Sequence, residues 1–123
     1  MSVDLVADQL SQQTIWTFLV QFLREASRVS FSHDDPPIRI EDLRAYATPE
    51  GLRELFTEAE LDDRSIAVLV YRYTLDGGWD QPTWKEVGYR LEECVSATVA
   101  THIHWRARVK ITHLLLTRKR QLG

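Results

Sequence analysis

The 123-residue sequence predicts an all-α, single-domain helical bundle with a C-terminal helix-turn-helix and a long final helix. Three observations carry that prediction. Apolar residues recur three and four apart through most of the chain, the spacing that lines one face of a helix. Thr, Ser and Asp stand where helices would begin, and Pro and Gly cluster between the periodic runs. Near the C-terminus a short amphipathic segment, a polar turn and a long segment without Gly or Pro until Gly123 follow one another.

In chain order, residues 3–29 predict one long amphipathic helix. Val6, Leu10, Phe18, Phe22 and Ala26 lie near helical spacing, and Leu19 and Leu23 widen the apolar face. This face supplies core or a homodimer surface. The run Ser30–Pro37 ends it, because two prolines remove backbone donors and push their predecessors out of helical geometry. Ile38-Arg39-Ile40 is extended or opens a short helix through Tyr46. Thr48-Pro49 is a cap followed by Pro at the first helical position, which predicts a helix over 49–60. Asp62 or Asp63 caps the next helix, 63–75, with Ile66, Leu69, Val70 and Tyr73 facing the core. Its run Ile-Ala-Val-Leu-Val-Tyr-Arg-Tyr also suits a buried strand, and the preceding cap decides for helix. Asp76-Gly77-Gly78 ends it.

Residues 83–108 have the spacing of a helix-turn-helix, whose first helix packs sideways while the second lies in the major groove. Thr83 and Glu86 form a capping box for a helix starting at Trp84. Val87 and Leu91 share a face with Trp84, whereas Lys85, Glu86 and Arg90 point away, and Gly88 permits another backbone to approach. Glu92, Glu93 and Cys94 make the turn, and Ser96 caps the second helix. On that helix Val99, Ile103, Ala107, Ile111 and Leu114 form the expected inward stripe. The opposite face carries Thr98, Thr101, Trp105 and Arg108, flanked by Ala97, His102 and His104: hydroxyls, imidazoles and a guanidinium suited to base edges and phosphates.

Charge is uneven. Residues 83–123 hold eight Lys or Arg and three Glu, 8 − 3 = +5, and residues 1–82 hold seven Arg and fifteen Asp or Glu, 7 − 15 = −8, which sum to the formal −3 of the whole chain. A basic element in an acidic chain is the electrostatic footprint of a small DNA-reading segment. Arg118, Lys119 and Arg120 also suit a helix C-terminal dipole, whatever the function.

The stretch Asp63–Gly123 resembles region 4 of sigma factors and the related late-transcription activators of bacteriophages. The resemblance is carried by a helix rich in Leu, Val and Tyr, a short loop, Thr83-Trp-Lys-Glu-Val87, the continuation Ser96-x-Thr-Val-x-x-His-Ile103, and a basic helix. It implies binding to promoter DNA through the second helix, contact with RNA polymerase, and a groove-facing set of Ser96, Thr98, Thr101, His102, Trp105 and Arg108. Ala97 and Arg106, within the same stretch, complete the candidate DNA-binding residues. Where the family has a short Leu-Gly-x-Ser turn, this chain has Leu91-Glu-Glu-Cys-Val-Ser96, about one residue longer and without the glycine. Residues 1–60 match no part of the family.

Other classes fit less well. The single Cys94 has no partner for an internal disulfide and no ligand cluster near it in sequence. On a helix His102 and His104 stand about 200° apart and cannot share one ion. There is no HExxH, Gly-rich phosphate loop or GxSxG, so no enzymatic activity, cofactor or metal is expected. No apolar run approaches the ~20 residues of a membrane span, and the N-terminal residues lack a basic signal-peptide region; a cytoplasmic protein without membrane contact is expected. The rival reading is a helical protein–protein interaction module, a dimerisation or polymerase-binding adaptor without direct DNA binding. The two readings separate on whether Trp105 and Arg108 are exposed or covered by residues 1–29.

Overall fold

A computed structural model of the protein describes residues 11–26, 38–73 and 83–122. Expectations for the chain before residue 11, for the break at 30–37 and for the loop at 74–82 lie outside the described residues. Within them every regular element is helical, in the order α1 (Gln12–Ala26), a short 3-10 helix (Ile40–Tyr46), α2 (Pro49–Glu58), α3 (Asp63–Tyr73), α4 (Trp84–Arg90) and α5 (Ala97–Leu122).

Local chemistry explains most of the boundaries. The Ser11 hydroxyl accepts the Thr14 N–H at 3.1 Å and starts α1. Asp42 accepts the Arg39 N–H at 2.8 Å ahead of the 3-10 helix, so that Arg39 stays extended and the short helix opens at Ile40 and runs to Tyr46. Thr48 accepts the Gly51 N–H at 3.0 Å, with Pro49 in the first turn of α2. A Cβ at Gly51 would stand 2.4 Å from the Ala45 carbonyl oxygen, so α2 lies directly on the 3-10 backbone.

The end of α2 is unusual. Leu61 N–H bonds to the Phe56 carbonyl and Glu60 N–H to that of Thr57, the two bonds of a Schellman motif. The residue at the left-handed position is Glu60, with φ 57°, where glycine is the ordinary choice. Beyond it Asp62, rather than Asp63, caps α3 by accepting the Ser65 N–H at 2.8 Å.

The apolar run of α3 is helical because its two sides enter different clusters. Ile66, Leu69 and Tyr73 join the main core, with α1 residues Ile15, Phe18, Leu19 and Phe22, α2 residues Leu52, Leu55 and Phe56, Leu43 and Tyr46 of the 3-10 helix, and Ala107, Ile111 and Leu115 of α5. Val68 enters a smaller cluster with Val87, Leu91 and Ala100, against which Trp84, Val95 and Ile103 pack. The apolar face of α1 is therefore buried within its own chain, filling the core side of the expectation that allowed core or dimer. At about 1.5 Å per residue the 26-residue α5 is ~39 Å long and spans both clusters. No described helix is long and apolar enough to cross a membrane.

The inward stripe of α5 differs from expectation. Ala100, His104, Ala107, Ile111 and Leu115 are buried, whereas Val99 is 40% exposed and Ile103 and Leu114 are half-buried. Two of the contact positions are alanines, which allow close approach, and a third is a histidine whose polar atom is satisfied inside. Ala107 and Ile111 are buried as expected, and ranking residues by apolarity goes wrong in selecting Val99, Ile103 and Leu114 from the neighbouring positions.

Candidate nucleic-acid interface

Thr83 starts α4 by accepting the Glu86 N–H at 3.2 Å. Gly88 then fixes how α4 meets α5: its carbonyl accepts the N–H groups of Leu91 at 3.4 Å and Val95 at 3.1 Å, and a Cβ there would lie 2.4 Å from the Val95 carbonyl oxygen. Ser96 caps α5 by accepting the Val99 N–H at 3.2 Å. A seven-residue helix, a six-residue connection and a long helix are thus locked by backbone contact.

The first ten residues of α5 bury Ala100 and His104, half-bury Ala97 and Ile103, and expose Thr98, Val99, Thr101, His102, Trp105 and Arg106. Trp105 is 54% exposed. Ser96 is exposed at the helix start, with its hydroxyl engaged in the cap. Thr98, Val99, His102, Ile103 and Arg106 line a groove of about 410 Å³ whose other wall is Arg64, from the first turn of α3. Sequence reading missed Arg64 because only tertiary packing brings it beside α5. Lys85 and Arg90 are exposed on α4, where they border Tyr89, itself 76% exposed.

Arg108 leaves the expected set. Its side chain is 19% exposed and turns toward the bundle, with Nη1 3.9 Å from a Glu25 carboxylate oxygen of α1. The rotation of the buried stripe that exposes Val99 carries position 108 to the flank, where an acidic residue of α1 is waiting. The two residues chosen to separate the readings thus divide, with Trp105 outward and Arg108 held by α1.

His104, expected at the edge of the polar face, is also inside, at 3% exposure. Its Nε2 lies 2.5 Å from the Tyr73 hydroxyl, which donates to Glu25 at 2.7 Å. Because the tyrosine proton goes to the carboxylate, His104 must present Nε2–H to the tyrosine oxygen, the neutral tautomer. Burial pushes the imidazole down to about 4, against the opposing attraction of Glu25 and with help from Arg108 and Arg72. The Tyr73 hydroxyl is pushed well above its usual range, by burial first and then by its hydrogen bond to Glu25 and that group's charge. Trp84 of α4 packs on the imidazole, ring centres 4.7 Å apart, and Arg72 stacks 4.3 Å over the indole. This cluster joins α1, α3, α4 and α5 behind the exposed face.

The basic end of α5 is committed inward as well. Arg118 pairs with Glu58 and donates to the Tyr46 hydroxyl, and Lys119 meets Asp42 at 2.8 Å. The backbone N–H of Arg39, and then Lys119, hold the Asp42 carboxyl below its usual range. Arg108, Arg118 and Lys119 therefore satisfy acidic groups of the N-terminal half. Among the described residues no group of three His, Cys, Asp or Glu could hold a metal ion.

No protein-family model, curated protein or solved structure matches the chain.

Proposed function

We propose that the protein is a sequence-specific double-stranded DNA-binding transcriptional regulator that places the leading half of α5 in the major groove. The observation that carries this reading is the exposed face of Thr98, Val99, Thr101, His102, Trp105 and Arg106, set beside Arg64 on a helix whose other side is buried. Arg64 and Arg106, with Lys85 and Arg90 on α4, are placed to meet phosphates, which would position the helix without reading sequence. The resemblance of residues 63–123 to sigma factor region 4 supports the same use of this helix pair and adds RNA polymerase as a partner. Ser96 and Ala97 belong to the site through the start of the helix, and Arg108 is assigned to the fold instead.

The test is fluorescence anisotropy with a duplex selected from a random library and a scrambled duplex, each titrated with salt. Specific binding about 1000-fold or more tighter than the scramble, with log affinity falling by about 0.9 per tenfold salt for each phosphate contacted, is expected. Equal weak binding to both duplexes overturns the proposal.

A second reading, an interaction adaptor, has one observation in its favour. Asp63, Glu92 and Glu93 rim a cavity of about 450 Å³ floored by Ala67, Tyr71 and Leu91, on the other side of Arg64. Such a cavity suits a basic segment of a partner protein, and its use is compatible with DNA on the neighbouring groove.

A further inference from the structure

We infer that the recognition face selects its target through the 5-methyl groups of thymine, read by Val99, Thr101 and Trp105, and this rests on the DNA-binding reading above. Base edges in the major groove are usually read by hydrogen bonds: Arg or Lys to guanine, Asn or Gln to adenine, Asp or Glu to cytosine. Residues 97–106 contain no Asn, Gln, Asp, Glu or Lys. Their one arginine, Arg106, stands on the flank beside Arg64. Arg108, the next guanidinium along the helix, is directed to Glu25.

What the face offers is largely apolar. Val99 is 40% and Trp105 54% exposed, so two large apolar side chains face water on a helix that has buried its other side. The Thr101 hydroxyl donates to the Ala97 carbonyl at 2.8 Å, which uses its proton within the helix and leaves its methyl as the outward group. The Ser96 oxygen accepts the Val99 N–H, which ties that hydroxyl to the helix start. The matching apolar feature on a B-DNA base edge is the thymine 5-methyl group. His102 and Thr98 remain for hydrogen bonding between the methyl contacts.

The experiment starts from a duplex selected from a random library with the wild-type chain and remakes it with each thymine replaced singly by uracil, which deletes only the methyl. Binding is expected to weaken about four-fold for each contacted methyl, the effect of one buried methyl-sized group. In Val99→Ala, at an exposed position where alanine favours helix at least as well as valine, the preference for thymine over uracil should vanish at one step and persist at the others. Tight, specific binding that is indifferent to every uracil replacement overturns the inference and leaves the DNA reading standing. Failure of selection to return any preferred duplex overturns the DNA reading, and the inference with it.

Discussion

The two halves of α5 face different physical problems. From Ala107 onward the helix is anchored: Ala107, Ile111 and Leu115 enter the main core, and Arg118 and Lys119 end on Glu58, Tyr46 and Asp42. Before Ala107 the helix enters the smaller cluster through Ala100, with Ile103 packed against it, and buries His104 beside Tyr73 and Trp84, while its outward side exposes Thr98, Val99, His102 and Trp105. The contrast teaches that a helix anchored along one side for its whole length can hold a row of exposed side chains in place, so that those side chains need not contribute to folding.

The sharpest way to break that comparison is a core truncation. Ile111→Ala should destabilise the chain by about 2–5 kcal/mol, from lost burial plus the cavity left behind. Urea unfolding measures it, and the affinity of the folded fraction for DNA should stay unchanged.

The next effect tests the seam between the halves, where His104 sits. Its folded-state value of about 4 lies below the unfolded 6.5, so the unfolded chain binds the extra proton within that window. Stability is fully present above pH 6.5 and falls as pH drops toward 4, by up to about 3 kcal/mol. His104→Gln, which keeps an N–H donor and does not titrate there, should flatten the unfolding free energy across pH 4–6.5 relative to wild type. An identical pH slope in both chains would remove His104 from the account.

Smaller effects separate the two arginines. Arg106→Ala should weaken binding by about 1 kcal/mol on every sequence and lower the salt slope by about one contact, as a phosphate contact does. Arg108→Ala should leave affinity alone and cost less than about 1 kcal/mol of stability, because its ion pair with Glu25 is long and partly solvated. Anisotropy and urea melts on the two variants decide it, and a reversal of the pattern would put Arg108 back on the DNA.

The smallest effect is a gain. Glu60→Gly relieves a left-handed residue while keeping the carbonyl that accepts Lys110 at 3.4 Å, and should add up to about 1 kcal/mol without touching affinity. A thermal melt that moved down instead would show that the Glu60 side chain holds something the motif does not explain.

Much of this molecule was legible because its signals are local. Thr48, Asp62, Thr83 and Ser96 cap the helices that their positions predict, and Gly88 makes the close approach its missing side chain allows. Expectations missed where a residue's role depends on distant partners. Tyr73 and Glu25, 31 and 79 positions away from His104, make it a buried residue. Glu25 likewise turns Arg108 inward, and Asp42 and Glu58 claim a tail whose charge alone suggested dipole or DNA. Arg64 joined the candidate site by the converse route, since nothing near it in sequence hints at the α5 groove. Hydropathy also chose Val99 and Ile103 over Ala100 and His104 on α5, because it scores apolar volume and is blind to the close packing that favours small residues.

The backbone contact between Gly88 and Val95 has an evolutionary consequence. Because the angle between α4 and α5 is set by main-chain atoms, positions 98, 99, 101, 102 and 105 can be rewritten with little effect on the scaffold, and changes at such solvent-facing sites should combine nearly additively where they do not touch. Under the DNA-binding proposal, a lineage carrying this chain would acquire new operators by drift at those five positions, and a laboratory library varied there would sample new targets while nearly every member still folds.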